Sequence, residues 1–263
     1  MLFSFASIIA LPLVAVATIV PLVEPAGHTH SFVPSTVKPK GRNMTINGVR
    51  TYVTLPKKKY DKGTAVLFLT DVFGLPSIDS PLLADKFAEA GFATFAPDYL
   101  NGDALVQGAN HSEWRVSHTE AHTTPSLLAV INGLKKKGFK TTGYCYGGLY
   151  VTRLVQNNTI IVGSMTHPSS LSVPNDWILA KEVSKVPVHI NSAEFDTGFR
   201  LPLALATDEV MGNGRYEPGY WRTQFDNVGH GFGVRVDPIN ATQVAAKQGA
   251  FDNTIQFFRE HLY

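Results

Sequence analysis

The apolar positions of this 263-residue chain fall into short strand-like runs separated by amphipathic stretches. Ala65–Leu69 is an unbroken apolar run, which is typical of a strand covered on both faces. The pattern predicts an edge strand at 50–54, further strands at 93–96, 138–142, 160–164, 187–190 and 220–225, and helices at 81–90, 123–136, 149–155, 201–211 and 244–261. This alternation predicts an α/β fold, a mostly parallel doubly wound sheet with helices on both faces.

Composition limits the class of protein. Apolar residues make up 44% of the chain and charged residues 17%, so a large core can form. The formal charge of +2 is too small to indicate a nucleic-acid partner. The single cysteine excludes an internal disulfide, and no His, Cys, Asp or Glu spacing predicts a metal site.

The amino-terminal part differs from the rest of the chain. Residues 2–23 carry no charge, so we interpret 1–23 as a signal peptide, with a membrane anchor as the alternative. Pro12 and Pro21 count against one spanning helix, and the missing Lys or Arg before the run counts against a standard signal peptide. Residues 24–45, rich in Pro, His, Ser and Thr, are predicted to be a linker to a single domain at 46–263.

Four glycosylation motifs favour export weakly. They begin at Asn43, Asn110, Asn157 and Asn240. Such motifs are used only when the chain enters a secretory pathway. The sequence therefore predicts a secreted glycoprotein, or a membrane-anchored one if the amino-terminal run is retained.

The only cysteine lies in an unusual turn. Cys145 stands in Gly143-Tyr-Cys-Tyr-Gly-Gly148, between a predicted strand and a predicted helix. This pattern is typical of a nucleophile elbow, in which glycines let the strand and helix approach closely. The amino terminus of the helix favours a negative charge on the sulfur. We therefore predict that Cys145 is a nucleophile rather than a small buried apolar residue.

An acid and a histidine follow two later strands. Asp196 comes after the strand at 187–190, and His230 comes after the strand at 220–225. The carboxyl ends of parallel strands share one edge of a sheet, so the three side chains are expected to meet there. The order nucleophile, acid, histidine is the one found in α/β-hydrolases. His230 would take the thiol proton, and Asp196 would orient the imidazole.

Acyl transfer also needs donors for an oxyanion. The residue after the nucleophile supplies one, the Tyr146 N–H. The second is predicted in the loop after the strand at 65–69, at the Val72 N–H. His167, which follows the strand at 160–164, is predicted to shape the pocket wall.

Five motifs in order resemble the dienelactone hydrolase family, especially its fungal members. They are Thr70-Asp-Val-Phe-Gly74, Ala96-Pro-Asp-Tyr99 with Gly102-Asp103, the Cys145 elbow, His167-Pro-Ser169, and His230-Gly-Phe232 with Arg235. The resemblance implies an α/β-hydrolase that cleaves a small carboxylic ester or lactone through an acyl-thiol intermediate, without a cofactor. It also implies Cys145, Asp196 and His230 as the triad.

The resemblance implies roles for three charged residues. A glutamate of the bacterial relatives helps to activate the cysteine, and Asp71 stands at the corresponding position. Those relatives bind a substrate carboxylate with arginines, for which Arg235 is the first candidate and Arg115 the second. Arg235 has an alternative as a partner of Asp237. Monomer and dimer stay open.

A second class of function remains. The fold can be retained in a ligand-binding or redox-responsive protein with slow or no turnover, in which Cys145 is an oxidisable thiol. The complete triad favours the hydrolase.

Overall fold

The computed structural model describes residues 33–261 apart from 35, 135 and 137. The predicted signal peptide or anchor at 1–23 and the first part of the predicted linker lie outside the described residues. Within the described part, no helix has the length and apolar character needed to cross a membrane.

Eight strands form one sheet in the order β1-β2-β4-β3-β5-β6-β7-β8. β2 is antiparallel to both neighbours, and every pair from β4 to β8 is parallel. The strands are β1 (Arg42–Ile46), β2 (Val49–Thr54), β3 (Thr64–Leu69), β4 (Thr94–Pro97), β5 (Gly138–Tyr144), β6 (Val162–Thr166), β7 (Val188–Phe195) and β8 (Tyr220–Gly229). The predicted mostly parallel sheet is confirmed.

Seven helices of the described residues cover the sheet. They are α1 (Asp79–Glu89), α2 (His111–Ser117), α3 (Glu120–Leu134), α4 (Tyr146–Gln156), α5 (Asn175–Val183), α6 (Leu201–Met211) and α7 (Ala241–Glu260). α1 and α7 pack on one face, where Phe87 and Phe258 are fully buried. α3 to α6 pack on the other face, where Val151 and Trp177 are fully buried. The sheet is therefore doubly wound, as predicted.

Three elements differ from the predictions: β1, α5 and α2, a helix without a buried residue that the apolar pattern did not indicate. Residues 42–45 of the predicted linker belong to β1, which pairs with β2 through a tight turn at Asn47 and Gly48. Both turn residues have positive φ, 45° and 82°, which is the geometry that Asn-Gly hairpins adopt. The folded part thus begins before residue 46. Helix α5 was not predicted, because Pro174 and two acidic residues interrupt its apolar pattern.

Parallel order brings the ends of six strands, β3 to β8, to one edge of the sheet. The loops after β3, β5, β6, β7 and β8 all start there. The sequence places polar or nucleophilic residues in each of these loops, so this edge is where a site is expected.

Candidate active site

Cys145 occupies a strained backbone position between β5 and α4. Its φ is +53° and its ψ is −114°, in a region that L-residues rarely adopt. A Cβ on Gly143 would lie 2.4 Å from the carbonyl oxygen of Gly147, and one on Gly147 would lie 2.4 Å from the carbonyl oxygen of Leu69. Only glycine fits at both positions, so the predicted elbow is confirmed as a backbone geometry.

Strand β6 and the loop after it fix the backbone of Cys145. The Cys145 N–H donates to the Thr166 carbonyl at 3.2 Å, and the Ser169 N–H donates to the Cys145 carbonyl at 3.0 Å. The Cys145 sulfur is a free thiol, and the residue is 9% exposed. It is thus fixed by its neighbours and still reached by solvent.

His230 and Asp196 meet at the same edge. The Nδ1 atom of His230 lies 2.8 Å from Oδ1 of Asp196. The same oxygen accepts from the backbone N–H groups of Gly198 at 2.7 Å and Phe199 at 2.9 Å. These two bonds fix the carboxylate, so Asp196 can hold the imidazole with Nε2 free to face another group.

Charges within the site shift both pKa values. Burial alone would lower the pKa of His230, but the negative charges of Cys145 and Asp196 raise it well above its usual value. Burial opposes ionisation of Asp196, yet the charge and hydrogen bond of His230 hold the pKa of Asp196 below its usual value. The site therefore favours a protonated imidazole at His230 beside an ionised carboxylate at Asp196.

Two backbone donors fit the predicted oxyanion positions. Val72 and Tyr146 are buried, and Tyr146 is the first residue of α4. Within the described part of the chain, neither N–H donates to a protein acceptor. The Val72 carbonyl accepts from the Leu105 N–H at 2.8 Å, which fixes that peptide. Two buried N–H groups without acceptors are suited to a developing oxyanion, and this role of Val72 and Tyr146 stays a prediction.

Asp71 and Arg235 pair with each other. Oδ2 of Asp71 lies 2.6 Å from Nη2 of Arg235, and both side chains are buried. Oδ1 of Asp71 accepts from the Phe73 N–H at 3.0 Å, and the Arg235 guanidinium stacks 4.7 Å from the centre of the Phe73 ring. Nothing in the sequence indicated that these two residues pair with each other. Their roles toward Cys145 and toward a substrate stay predictions.

Arg115 lies on α2, over the site. Its Nη1 donates to Ser170 Oγ, and its guanidinium stacks 4.9 Å from the centre of the Tyr146 ring. Trp114 holds the helix in place by donating from Nε1 to the Asp103 carbonyl at 2.9 Å. Arg115 is therefore connected to both the elbow and the loop after β6.

His167 lies behind the triad. It is fully buried, and its ring centre is 4.9 Å from that of His230. Burial, with a smaller contribution from the charge of His230, lowers the pKa of His167 well below its usual value. A neutral imidazole there packs against Tyr144 and Phe232. Its role in shaping the pocket wall stays a prediction.

Comparison with known proteins decides the family. A family model described as the dienelactone hydrolase family matches residues 49–262. The chain belongs to this family. Membership also makes it a carboxylic ester hydrolase, for which a small ester or lactone is the fitting substrate.

Relatives of the same family resemble the chain over most of its length. A hydrolase named pyvD from Aspergillus violaceofuscus is 28% identical over 233 residues, covering 85% of this chain and 91% of that protein. Dienlactone hydrolase 1 from Gibberella moniliformis is 28% identical over 236 residues, covering 84% and 87%. The structure of a putative dienelactone hydrolase from Klebsiella pneumoniae superposes with a TM-score of 0.68 at 13% identity, covering 85% and 100%, which shows the shared fold.

One further side chain lies at the site. Ser169, quoted in the sequence only as part of a motif, has its Oγ 3.6 Å from the Cys145 sulfur. Its position two residues after His167, beyond a strand end, was the available signal. Across the described residues, no three His, Cys, Asp or Glu side chains group as a metal would require.

Proposed function

We propose that this dienelactone hydrolase cleaves a small carboxylic ester or lactone with Cys145 as nucleophile. The observation that carries the proposal is the elbow geometry of Cys145 combined with the 2.8 Å bond between His230 and Asp196. The charge relation supports it as well, because the pKa of His230 is raised by negative charge on Cys145. A thiolate beside an imidazolium is the reactive form of a cysteine nucleophile.

Acylation begins with attack of the Cys145 sulfur on the ester carbonyl carbon. The carbonyl oxygen becomes an oxyanion, which the N–H groups of Val72 and Tyr146 stabilise. The intermediate collapses, the carbon–oxygen bond to the leaving group breaks, and His230 gives its proton to the departing alkoxide. With a lactone, the alcohol stays attached to the acyl group. The product of this half is an acyl-thiol.

Deacylation reverses the proton flow. His230, now neutral, takes a proton from water as the water oxygen attacks the thioester carbon. The carbon–sulfur bond breaks, the carboxylic acid leaves, and the thiolate and imidazolium are restored. Asp196 stabilises the imidazolium in both halves without taking the proton.

Arginines favour a substrate that carries a carboxylate of its own. Arg115 and Arg235 lie on two sides of the edge that holds Cys145, on α2 and after β8. A guanidinium binds a carboxylate through two parallel hydrogen bonds. Arg235 would have to share or exchange its contact with Asp71 to do so.

The test is hydrolysis of an activated ester with substitutions at the triad. Cys145→Ala is expected to lose turnover of p-nitrophenyl acetate, and His230→Gln to lose it comparably, because triad members act as a unit. Brief mixing of the wild type with the ester, stopped with acid, should add one acetyl group to Cys145 in a peptide mass map. Undiminished turnover in folded Cys145→Ala would overturn the proposal. Reversible oxidation of Cys145 without any turnover of a lactone and ester panel would favour the redox-responsive alternative.

We also propose export with glycosylation. All four motif asparagines, Asn43, Asn110, Asn157 and Asn240, are exposed, so an oligosaccharide would meet no packed surface at any of them. The uncharged run at 2–23 supports entry into a secretory pathway, as a cleaved signal or as an anchor. Amino-terminal sequencing of protein from the native host, with and without glycosidase treatment, tests cleavage and glycosylation together.

A further inference from the structure

Three side chains, beginning with one on helix α2, form a connected series that ends at the Cys145 sulfur. Arg115 Nη1 contacts Ser170 Oγ, Ser170 Oγ lies 3.5 Å from Ser169 Oγ, and Ser169 Oγ lies 3.6 Å from Cys145 Sγ. The last distance is a hydrogen bond at the length that sulfur allows. The chain ends on the atom that attacks the substrate.

The two ends of the series set the direction of its bonds, because a guanidinium can only donate and a thiolate can only accept. Ser170 Oγ therefore accepts from Arg115. The Ser170 proton is then available for Ser169 Oγ, and the Ser169 proton is available for the sulfur. All three donors point toward Cys145. Such an aligned series polarises itself and is strongest when its end carries negative charge.

The backbone of the loop after β6 holds the two serines in this arrangement. The Ser169 N–H donates to the Cys145 carbonyl at 3.0 Å, so the hydroxyl and the sulfur share one rigid frame. Ser170 adopts a φ of +67°, an uncommon position for serine, which turns its side chain toward Arg115. A Cβ on Gly148 would lie 2.6 Å from Cβ of Pro168, so this loop packs directly on the first turn of α4.

We propose that Ser169 is a positioning residue that donates a hydrogen bond to the Cys145 thiolate, with Arg115 polarising it through Ser170. The inference rests on the proposed function, because it takes Cys145 as the nucleophile. It gives Arg115 a task at the sulfur before any substrate is bound. It also explains why a serine with a partly exposed side chain is tied by its backbone to the elbow.

The ionisable groups around the site are the same in the wild type and in Ser169→Ala. They face it from the loops after β3, β6, β7 and β8 and from α2: Asp71, His167, Asp196, His230, Arg235 and Arg115. Only Arg115 is connected to the sulfur through the serines. A substitution of Ser169 changes no charge, so its effect on pH dependence reports on the hydrogen bond alone.

The experiment measures the rate of Cys145 alkylation by iodoacetamide from pH 4 to 9 in the full chain. In Ser169→Ala the midpoint of the profile should rise by about one pH unit, so that alkylation below the midpoint slows about tenfold, while the plateau rate at high pH is kept. Ser117→Ala, in another exposed serine that lies on α2, is the matched control and should leave the profile unchanged. An unchanged midpoint in folded Ser169→Ala overturns the proposal.

A double-mutant cycle tests the route from Arg115. Arg115→Met should also raise the midpoint, partly through loss of its charge across space and partly through the serines. Ser169→Ala removes the contribution that passes through the serines. In that background, Arg115→Met should therefore shift the midpoint less than it does in the wild type. Equal shifts in both backgrounds would show that Arg115 does not act through Ser169.

Steady-state kinetics separates this inference from the proposed function. Ser169→Ala should lower kcat/KM about tenfold at low pH and regain most of it at high pH, whereas mere distortion of the loop would lower it at every pH. Cys145→Ala reports on the nucleophile alone. If that variant keeps its turnover, the proposed function fails. If it loses turnover and the Ser169→Ala profiles match wild type, only the inference fails.

Discussion

Asp71 and Arg235 form an ion pair of 2.6 Å whose side chains are 0% and 5% exposed. They follow β3 and β8, which lie far apart in the sheet order. The pair therefore ties the loop that carries the Val72 N–H to the loop that carries His230. Phe73 completes the connection, because its N–H donates to Asp71 and its ring lies under Arg235.

Removing only one member of this ion pair should lower the stability of the protein. Arg235→Met leaves the Asp71 carboxylate buried without its counter-charge, and we expect the free energy of unfolding to fall by about 3–5 kcal/mol. The double variant Asp71→Asn with Arg235→Met should recover much of that loss, because neither buried charge remains. Urea unfolding at pH 7 measures both. A single variant as stable as the double would contradict the assigned pair.

The pH dependence of stability should report the charge on His230. Its pKa is raised in the folded state, so protonation of His230 stabilises the fold fully below the unfolded value of about 6.5. That contribution is lost as pH rises through the higher folded value. The difference in unfolding free energy between wild type and His230→Gln should therefore shrink between pH 6.5 and 9.

The Cys145→Ala variant tests whether Cys145 raises the pKa of His230. Because the negative charge of Cys145 raises the pKa of His230, removing it should move the loss of stability to lower pH. Urea titrations at fixed pH give the curves, and an NMR titration of the His230 ring gives the protonation directly. A His230 ring in wild type that is already neutral below pH 6.5 would refute the expectation.

A second histidine should make the protein sensitive to acid. Burial lowers the pKa of His189 to about 3, and the ring lies 4.5 Å from that of Trp221. Below pH 6.5 the unfolded chain takes up a proton that folded His189 refuses until about pH 3. The free energy of unfolding should thus fall by about 1.4 kcal/mol per pH unit across that window from this residue.

His189→Phe should remove this contribution and flatten the slope. Ser164, whose Oγ lies 2.9 Å from Nδ1 of His189, keeps its bond to Thr254 Oγ1 at 3.0 Å, so the variant leaves no buried hydroxyl without a partner. Urea unfolding at several pH values between 7 and 4.5 measures the slope. Parallel curves for wild type and variant would show that His189 is not the proton acceptor.

The placement of Cys145, Asp196 and His230 at one edge of the sheet was predictable because each residue follows its own strand. Strands of a parallel sheet end at one edge, so Cys145, Asp196 and His230 had to converge there whatever their separation along the chain. The glycines around Cys145 then fixed the turn. The local pattern of each strand and loop was enough for this part of the site.

The contacts that adjust the site were not predictable in the same way. The Asp71–Arg235 pair and the Ser169–Cys145 contact depend on which loops lie side by side, and no local pattern encodes that distance. Strand β1 is a different case. Its residues are mostly exposed and carry no apolar pattern, although Asn47-Gly48 was a usable hairpin signal.

Glycine at position 147 should be essential for folding. A Cβ there would lie 2.4 Å from the Leu69 carbonyl oxygen and 2.8 Å from that of Thr70, both backbone atoms that cannot turn away. Gly147→Ala is expected to destabilise the protein by at least about 3 kcal/mol. Gly108→Ala is the control: it has a φ of +80° and no atom within 4 Å, so only about 1–2 kcal/mol of backbone strain is expected. Equal thermal stability of the two variants would contradict the close approach of α4 to β3.

Gly198 should separate activity from stability. A Cβ there would lie 3.1 Å from Cβ of Ser169, 3.3 Å from Cε1 of His230 and 3.4 Å from Oδ1 of Asp196. The contact to Asp196 is an ordinary one, but Ser169 and His230 would have to move by a few tenths of an ångström. The geometry around His230 is more sensitive to such shifts than folding is. Gly198→Ala is therefore expected to lower kcat on p-nitrophenyl acetate about tenfold or more, at a cost of about 1–2 kcal/mol in unfolding free energy.

Gly229→Ala is the matched control, because its Cβ meets only the Phe195 carbonyl oxygen at an ordinary 3.4 Å. Equal kcat values in the two variants would mean that the Asp196–His230 alignment tolerates the displacement, and would locate the catalytic constraint at the elbow alone.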